Sequence, residues 1–568
     1  MTEALLTSPG GARSSGAEQE YPGQLGNPAT ALLSAALLAA CGGGNTAAPA
    51  PAPAPVLDAI TETQASRFLA QASMGATREH IAGVQAQGYA GWIDGQFAAP
   101  QSASRWDYLV SKAYDAIGNK NSEAGADNTI WKKILSSPDT LRQRVTMALS
   151  EVAVAAVDGF IGGGWKAFSA AAYLDLLESN AFGNYRTLLQ QVSLSAPMGE
   201  FLTFRGNTKF NASTGALPDE NYAREVMQLF SIGLLQLNLD GTLKLAGGAH
   251  QETYTLDDIT GLARVFTGWD YDLGASKSTD APDFKQRPMA LVASRNETGA
   301  KAFLGSSVPS GLDGTASLTM ALDIIFAHPN VAPFISRQLI QRLVTSNPAP
   351  AYVARVATAF NNDGTGVKGN MKAVIKAILL DDEARNPARL ADNTFGKQRE
   401  PILRFAAWAR AFKATSASDN WSVGNTSDPA SRLGQSPLRS ATVFNFFRPG
   451  YVPPNSAIGT AGLVAPEFQI TNESTVVGYV NYLQTVISKG VGDVKADYAS
   501  LLPLADSAQA LIDEINVVLA AGQLSAATAG TIKTAIDSMA AGTDTARLNR
   551  IYATLLLVMS SPEFIVQK

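Results

Sequence analysis

Cys41 is the only thiol in a chain of 568 residues. That count removes disulfides, iron–sulfur clusters and thiolate zinc sites from the forces that can hold a fold together. Apolar packing and hydrogen bonding must do it instead. Hydrophobic residues make up 46% of the chain and charged residues only 16%, a balance that suits a large buried core rather than a solvated disordered polymer. Three histidines, His80, His250 and His328, lie far apart in sequence, which argues against a multi-histidine metal site. The net charge of −5 and the lack of any basic stripe argue against a nucleic-acid partner, because neutralising phosphates needs concentrated Lys and Arg. No cofactor and no metal is expected.

The surroundings of Cys41 indicate location. Residues 29–40 are apolar, too short to cross a bilayer at about 20 residues per span, yet of signal-peptide length. Leu38-Ala39-Ala40-Cys41 resembles the lipobox of bacterial lipoproteins, so 1–40 reads as a leader and Cys41 as the site of lipid attachment. Gly42 rather than aspartate follows, which by the same resemblance favours the outer membrane or cell surface. The leader is atypical, since residues 1–28 hold only Arg13 beside Glu3, Glu18 and Glu20. Residues 41–58 read as the lipid-attachment site and an Ala/Pro tether, extended at about 3.1 Å per residue where prolines alternate.

From Thr61 onward the apolar spacing is mostly helical. Segments 66–72 and 78–86 read as a helical hairpin, with Thr77 capping the second helix and Gly75 ending the first. Helices are expected over 141–156, 170–179 and 184–194, the last ending near Pro197. Asp240-Gly241 predicts a turn between extended runs 234–237 and 242–245. Thr255 and Asp258 have capping-box spacing ahead of a helix to about Phe266. Further helices are expected over 318–326, 331–345, 350–360, 371–380 and 547–559, with alanine-rich helical segments in 497–545. Residues 443–454 are too rich in proline for a helix and predict an ordered aromatic loop.

Two motifs fail on context. Gly364-Thr365-Gly366-Val367-Lys368-Gly369 matches the dinucleotide-binding glycine pattern, but a helix precedes it where a strand is required, so a helix–helix loop is the better account. The loops at Asp363-Gly364 and Asp240-Gly241 lack the bidentate carboxylate of a calcium-binding loop, and turn chemistry explains both.

The densest concentration of reactive side chains is at 218–225. Proline and two acids are expected in the first turn of a helix that closes at Gly233. Glu220, Arg224 and Gln228 then share one face, with Asn221 and Glu225 on the next. Asp219, Glu220, Asn221, Arg224, Glu225 and the downstream Asp257 are the candidate catalytic groups. The competing account makes Glu220 and Arg224 a surface pair, or buries Arg224 and Glu225 as ties between helices. Phe444, Phe446, Phe447 and Tyr451 likewise serve either as a stacking surface or as core.

The run PDENYAREVMQLFSIG at 218–233 does not stand alone. With LRQRVTMALSEV (141–152), AFGNYRTLL (181–189), YTLDDITGLARVFTGW (254–269), FISRQLIQRLVTSNP (334–348) and VFNFFRPGY (443–451), the chain resembles the bacterial "domain of unknown function 1800" family. The resemblance implies one large, mainly α, exported domain over 59–568 with small β-hairpin elements and long ordered loops. It carries no established activity. It also implies a working partner, a protein of the "domain of unknown function 1501" family. Two departures stand out: Ser195-Ala196-Pro197-Met198-Gly199 replaces a run that often opens with histidine, and Asn296-Glu297 replaces a His-Asp pair. The residues thus predict an exported, lipid-anchored envelope protein that acts by binding a partner. The alternative is a hydrolase of an envelope or extracellular polymer working through 219–225.

Overall fold

Side-chain caps set where most of the helices begin. Thr77 accepts the His80 N–H at 3.1 Å and opens the helix Arg78–Ala98; Thr255 and Asp258 form the expected capping box ahead of Leu256–Ala263. The computed structural model describes residues 59–568; the leader at 1–40, Cys41 and the tether to residue 58 lie outside the described residues. Within the described residues there are 22 α-helices and only five two-stranded antiparallel pairs, so the fold is mainly α. Residues Ala59–Lys568 form one compact unit.

Most expected helices are present: Glu62–Ala72, Lys166–Asn180, Tyr185–Leu194, Gly314–Ala327, Val331–Leu343, Pro350–Asn361, Met371–Leu379 and Asp544–Met559. The glycine-rich segment 364–369 connects two of them, and Asp363 accepts the Thr365 N–H at 2.8 Å, as turn chemistry requires. Residues 443–454 form turns without helix, also as expected.

The helix Tyr185–Leu194 ends ahead of Pro197, as expected, and Pro197 then sits in the first turn of a short new helix, Ala196–Phe201. Three expectations need correction. The helix from Thr140 ends at Ser150 rather than near 156, because residues 152–156 continue as a buried non-helical segment. The helix after Pro218 begins only at Asn221, so Asp219 and Glu220 precede it. Around Asp240-Gly241 the two runs meet only through a bridge between Leu237 and Leu243, and regular pairing moves to Leu245–Ala246 with Ala249–His250. Two long helices, Pro401–Ala411 and Glu473–Lys489, complete the body.

The larger of two apolar cores runs through the unit and closes it end to end; a smaller one gathers around Trp106, Trp165 and Phe168. The first helix, Glu62–Ala72, packs on Ala508–Ala520, and the terminal strand Val566–Gln567 pairs with Lys397–Gln398. Gln567 Nε2 then donates to the Leu343 carbonyl at 2.8 Å, tying the C-terminus to Val331–Leu343. Fully buried Trp131, Trp408 and Phe68 each contribute roughly 1.5–3 kcal/mol or more of transfer free energy. The consequence is that Lys397, on a short strand, and Arg342, on a helix, are held close.

Candidate functional site

The break at Ser150 opens a concavity. Because the chain leaves helical geometry there, Glu151, Val152 and Val154 turn toward a cavity of about 390 Å³. Its walls come from four separated runs. Gln228, Leu229 and Gly233 enter from the end of Asn221–Gln228, Phe334 and Arg342 from Val331–Leu343, and Phe444, Arg448 and Pro449 from the aromatic loop. Gly233 is at φ +72°, and a Cβ there would stand 2.6 Å from the Phe334 ring, so only glycine lets the chain turn this close to that wall. Most of the lining is apolar; its charged members are Glu151, Arg337, Arg342 and Arg448.

Beneath the cavity lies a cluster of buried charge. Arg342 Nε is 2.9 Å from Glu151 Oε2, with both side chains almost fully enclosed. Arg144 donates to the Arg342 carbonyl at 2.6 Å, as does Lys397 Nζ at 2.9 Å. Lys397 is also 2.9 Å from Glu467 and 3.6 Å from Glu400, and Gln435 Nε2 donates to Glu400 at 2.8 Å. The carboxyl groups of Glu151 and Glu400 are neighbours in this cluster. Burial, reinforced by the charge of Glu400, pushes Glu151 well above the ordinary glutamate range. Although burial opposes its charge too, Glu400 is held low by the adjacent Glu151 carboxyl and by Lys397, Arg144 and Gln435. Within this pair burial and the neighbouring charge favour a proton on Glu151. Arg342 keeps an Nη1 with no hydrogen-bond partner among the described residues.

The candidate groups at 219–225 lie next to this cavity and not in it. Asp219 is exposed; its carboxylate accepts the Asn221 N–H at 2.7 Å and the Thr203 hydroxyl at 3.2 Å, which fixes the start of the helix. Glu220 accepts from the Thr260 hydroxyl at 2.8 Å and lies 3.6 Å from Arg224, a half-exposed pair one turn apart. Asn221 donates to the Leu202 carbonyl at 3.3 Å. Asp257 is exposed in the first turn of its own helix. Glu225 is the exception: it is buried, its Oε2 has no partner among the described residues, and burial raises its pKa against the pull of Arg224. One turn on, Gln228 reaches the cavity and accepts from the Tyr254 hydroxyl at 2.9 Å. Of the aromatic loop, Phe447 is buried beneath Arg342, whereas Phe444 lines the cavity with the Arg448 guanidinium 4.7 Å above its ring.

The family model described as "Protein of unknown function (DUF1800)" matches residues 67–566. The chain belongs to this family. No curated protein and no solved structure matches it. Four of the sequence runs that carry the DUF1800 resemblance supply the cavity walls, from the Glu151, Gln228, Arg342 and Phe444 segments. The two positions that lack histidine have local structural work here. Ser195 caps Ala196–Phe201 by accepting the Met198 N–H at 3.4 Å, and Asn296 donates to the Thr267 carbonyl at 2.8 Å.

Sequence reasoning did not single out Glu151, Glu400, Glu467, Arg342 or Lys397. The usable signal was a lone charge inside an apolar run, as in Leu339-Ile340-Gln341-Arg342-Leu343-Val344, since such a charge must find a buried partner.

Proposed function

We propose that this chain is an exported, lipid-anchored envelope protein that acts by binding a partner rather than by hydrolysis, the partner being a "domain of unknown function 1501" protein. The observation that carries the reading is the apolar cavity with a rigid charged floor, the kind of preformed concavity that recognises a ligand. Further support comes from Asp219, Glu220 and Asn221, whose polar atoms are taken up in fixing the start of one helix against its neighbours. Carboxylates used in that way are not presented across a cleft, as polymer hydrolysis requires. Leu38-Ala39-Ala40-Cys41 supports export and acylation.

Capture of the membrane-extracted protein, followed by mass spectrometry, tests each part. The expected result is a mature N-terminus at an acylated Cys41, with a 1501-family protein enriched beside it. An unprocessed chain in the cytosolic fraction overturns the anchoring, and an anchored chain that never enriches that protein overturns the partner.

A further inference from the structure

The mouth of the cavity and its interior have opposite character. Inside, Val152, Leu229, Leu235, Leu237, Phe334 and Val443 present hydrocarbon. At the mouth stand two exposed arginines. Arg337 makes only a 3.5 Å hydrogen bond to the Gly241 carbonyl, and Arg448 rests on the Phe444 ring; neither forms an ion pair among the described residues. The one acid in the lining, Glu151, is buried on the floor against Arg342 and cannot neutralise them. Leu234, 54% exposed, leaves apolar surface uncovered at the same rim.

Size narrows the occupant further. An apolar cavity of about 150 Å³ holds one benzene, so about 390 Å³ corresponds to roughly 15 non-hydrogen atoms. We infer that the cavity binds a single-chain apolar acid of that size, hydrocarbon inside and carboxylate at the mouth between Arg337 and Arg448. This rests on the reading of the chain as a binding protein and supplies that reading with a ligand class. Arginine is suited to the head group because its fork of donors meets a carboxylate with two parallel bonds, while the tail needs only displacement of water from an apolar wall. The buried Arg342 adds positive potential from below without contacting the head group.

The test is calorimetric titration of the full chain carrying Cys41→Ser, with dodecanoate and dodecyltrimethylammonium, each below its micelle concentration. Dodecanoate is expected to bind at least about tenfold more tightly than the ammonium amphiphile, the scale of one charge-assisted hydrogen bond. Arg337→Ala/Arg448→Ala, at exposed positions that leave the core untouched, is expected to bring the two within about threefold, because only the head-group term is removed. Val443→Trp, which fills the interior, is expected to abolish both. Equal binding of the two amphiphiles to the parent chain overturns the inference, as does binding that survives Val443→Trp. Failure here, with enrichment of the 1501-family protein intact, leaves the partner reading standing; enrichment that is lost in Val443→Trp while dodecanoate never binds assigns the cavity to the protein partner and overturns the acid.

Discussion

Arg342 and Glu151 meet at 2.9 Å on the cavity floor, with side-chain exposures of 1% and 5%. The pair is asymmetric, because burial and the charge of Glu400 favour a proton on Glu151. Arg342→Met should cost about 3–5 kcal/mol, the penalty of removing from this buried cluster the guanidinium that sits against Glu151. Glu151→Gln keeps a neutral donor in the same place and should cost less than about 1.5 kcal/mol. Urea denaturation of the two variants measures both. Equal losses mean that Glu151 is ionised in the folded chain, contrary to the assignment.

The same proton makes stability depend on pH. Glu151 has its folded pKa raised above the ordinary 4.5, so between those two values the folded chain holds a proton that the unfolded chain has released. Stability contributed by that proton is present below 4.5 and declines as pH rises toward the folded value. Glu79 acts in the opposite sense: its hydrogen bond from Lys413 holds it at about 2, so its contribution is present above 4.5 and disappears as pH falls toward 2. Denaturation midpoints from pH 3 to 9 should show Glu151→Gln flattening the decline on the alkaline side and Glu79→Gln flattening the acid side. An unchanged alkaline slope in Glu151→Gln removes the carboxyl pair as its source.

Local signals made the helices legible in the sequence, whereas the charge cluster was hidden. Thr77, Thr255 and Asp258 act within four residues of themselves, so spacing alone gives their roles. Glu151 and Arg342 are 191 residues apart, and no local pattern links them. The helix end at Ser150 was concealed for another reason: residues 152–157 are all buried, and an unbroken apolar run reads alike as buried helix or buried extended chain. At 219–225 the residue types were read correctly and their use was open, because an acid before a helix caps it as readily as it does chemistry.

That ambiguity yields a prediction about scale. Glu220→Ala and Arg224→Ala remove a half-exposed pair at 3.6 Å and should each change stability by less than about 0.5 kcal/mol. Asp219→Ala removes the acceptor for the Asn221 N–H and the Thr203 hydroxyl and should cost about 1 kcal/mol, the net worth of an ordinary hydrogen bond. Thermal unfolding distinguishes them. A loss of several kcal/mol at Glu220 or Arg224 means that the pair carries a load its exposure does not reveal.

Gly233 joins the candidate cluster to the cavity wall, and two separate effects constrain it. Its φ of +72° disfavours any L side chain by about 1–2 kcal/mol, and a Cβ would sit 2.6 Å from the Phe334 ring, adding roughly 1–3 kcal/mol of overpacking. Gly233→Ala should therefore cost roughly 2–5 kcal/mol by chemical denaturation. The two effects separate in a double-mutant cycle. In a Phe334→Ala background the ring is gone, so the same substitution should cost only the backbone part, about 1–2 kcal/mol. A cost that does not change between backgrounds means that the ring swings aside freely, and then Phe334 is a movable wall of the cavity rather than a fixed one.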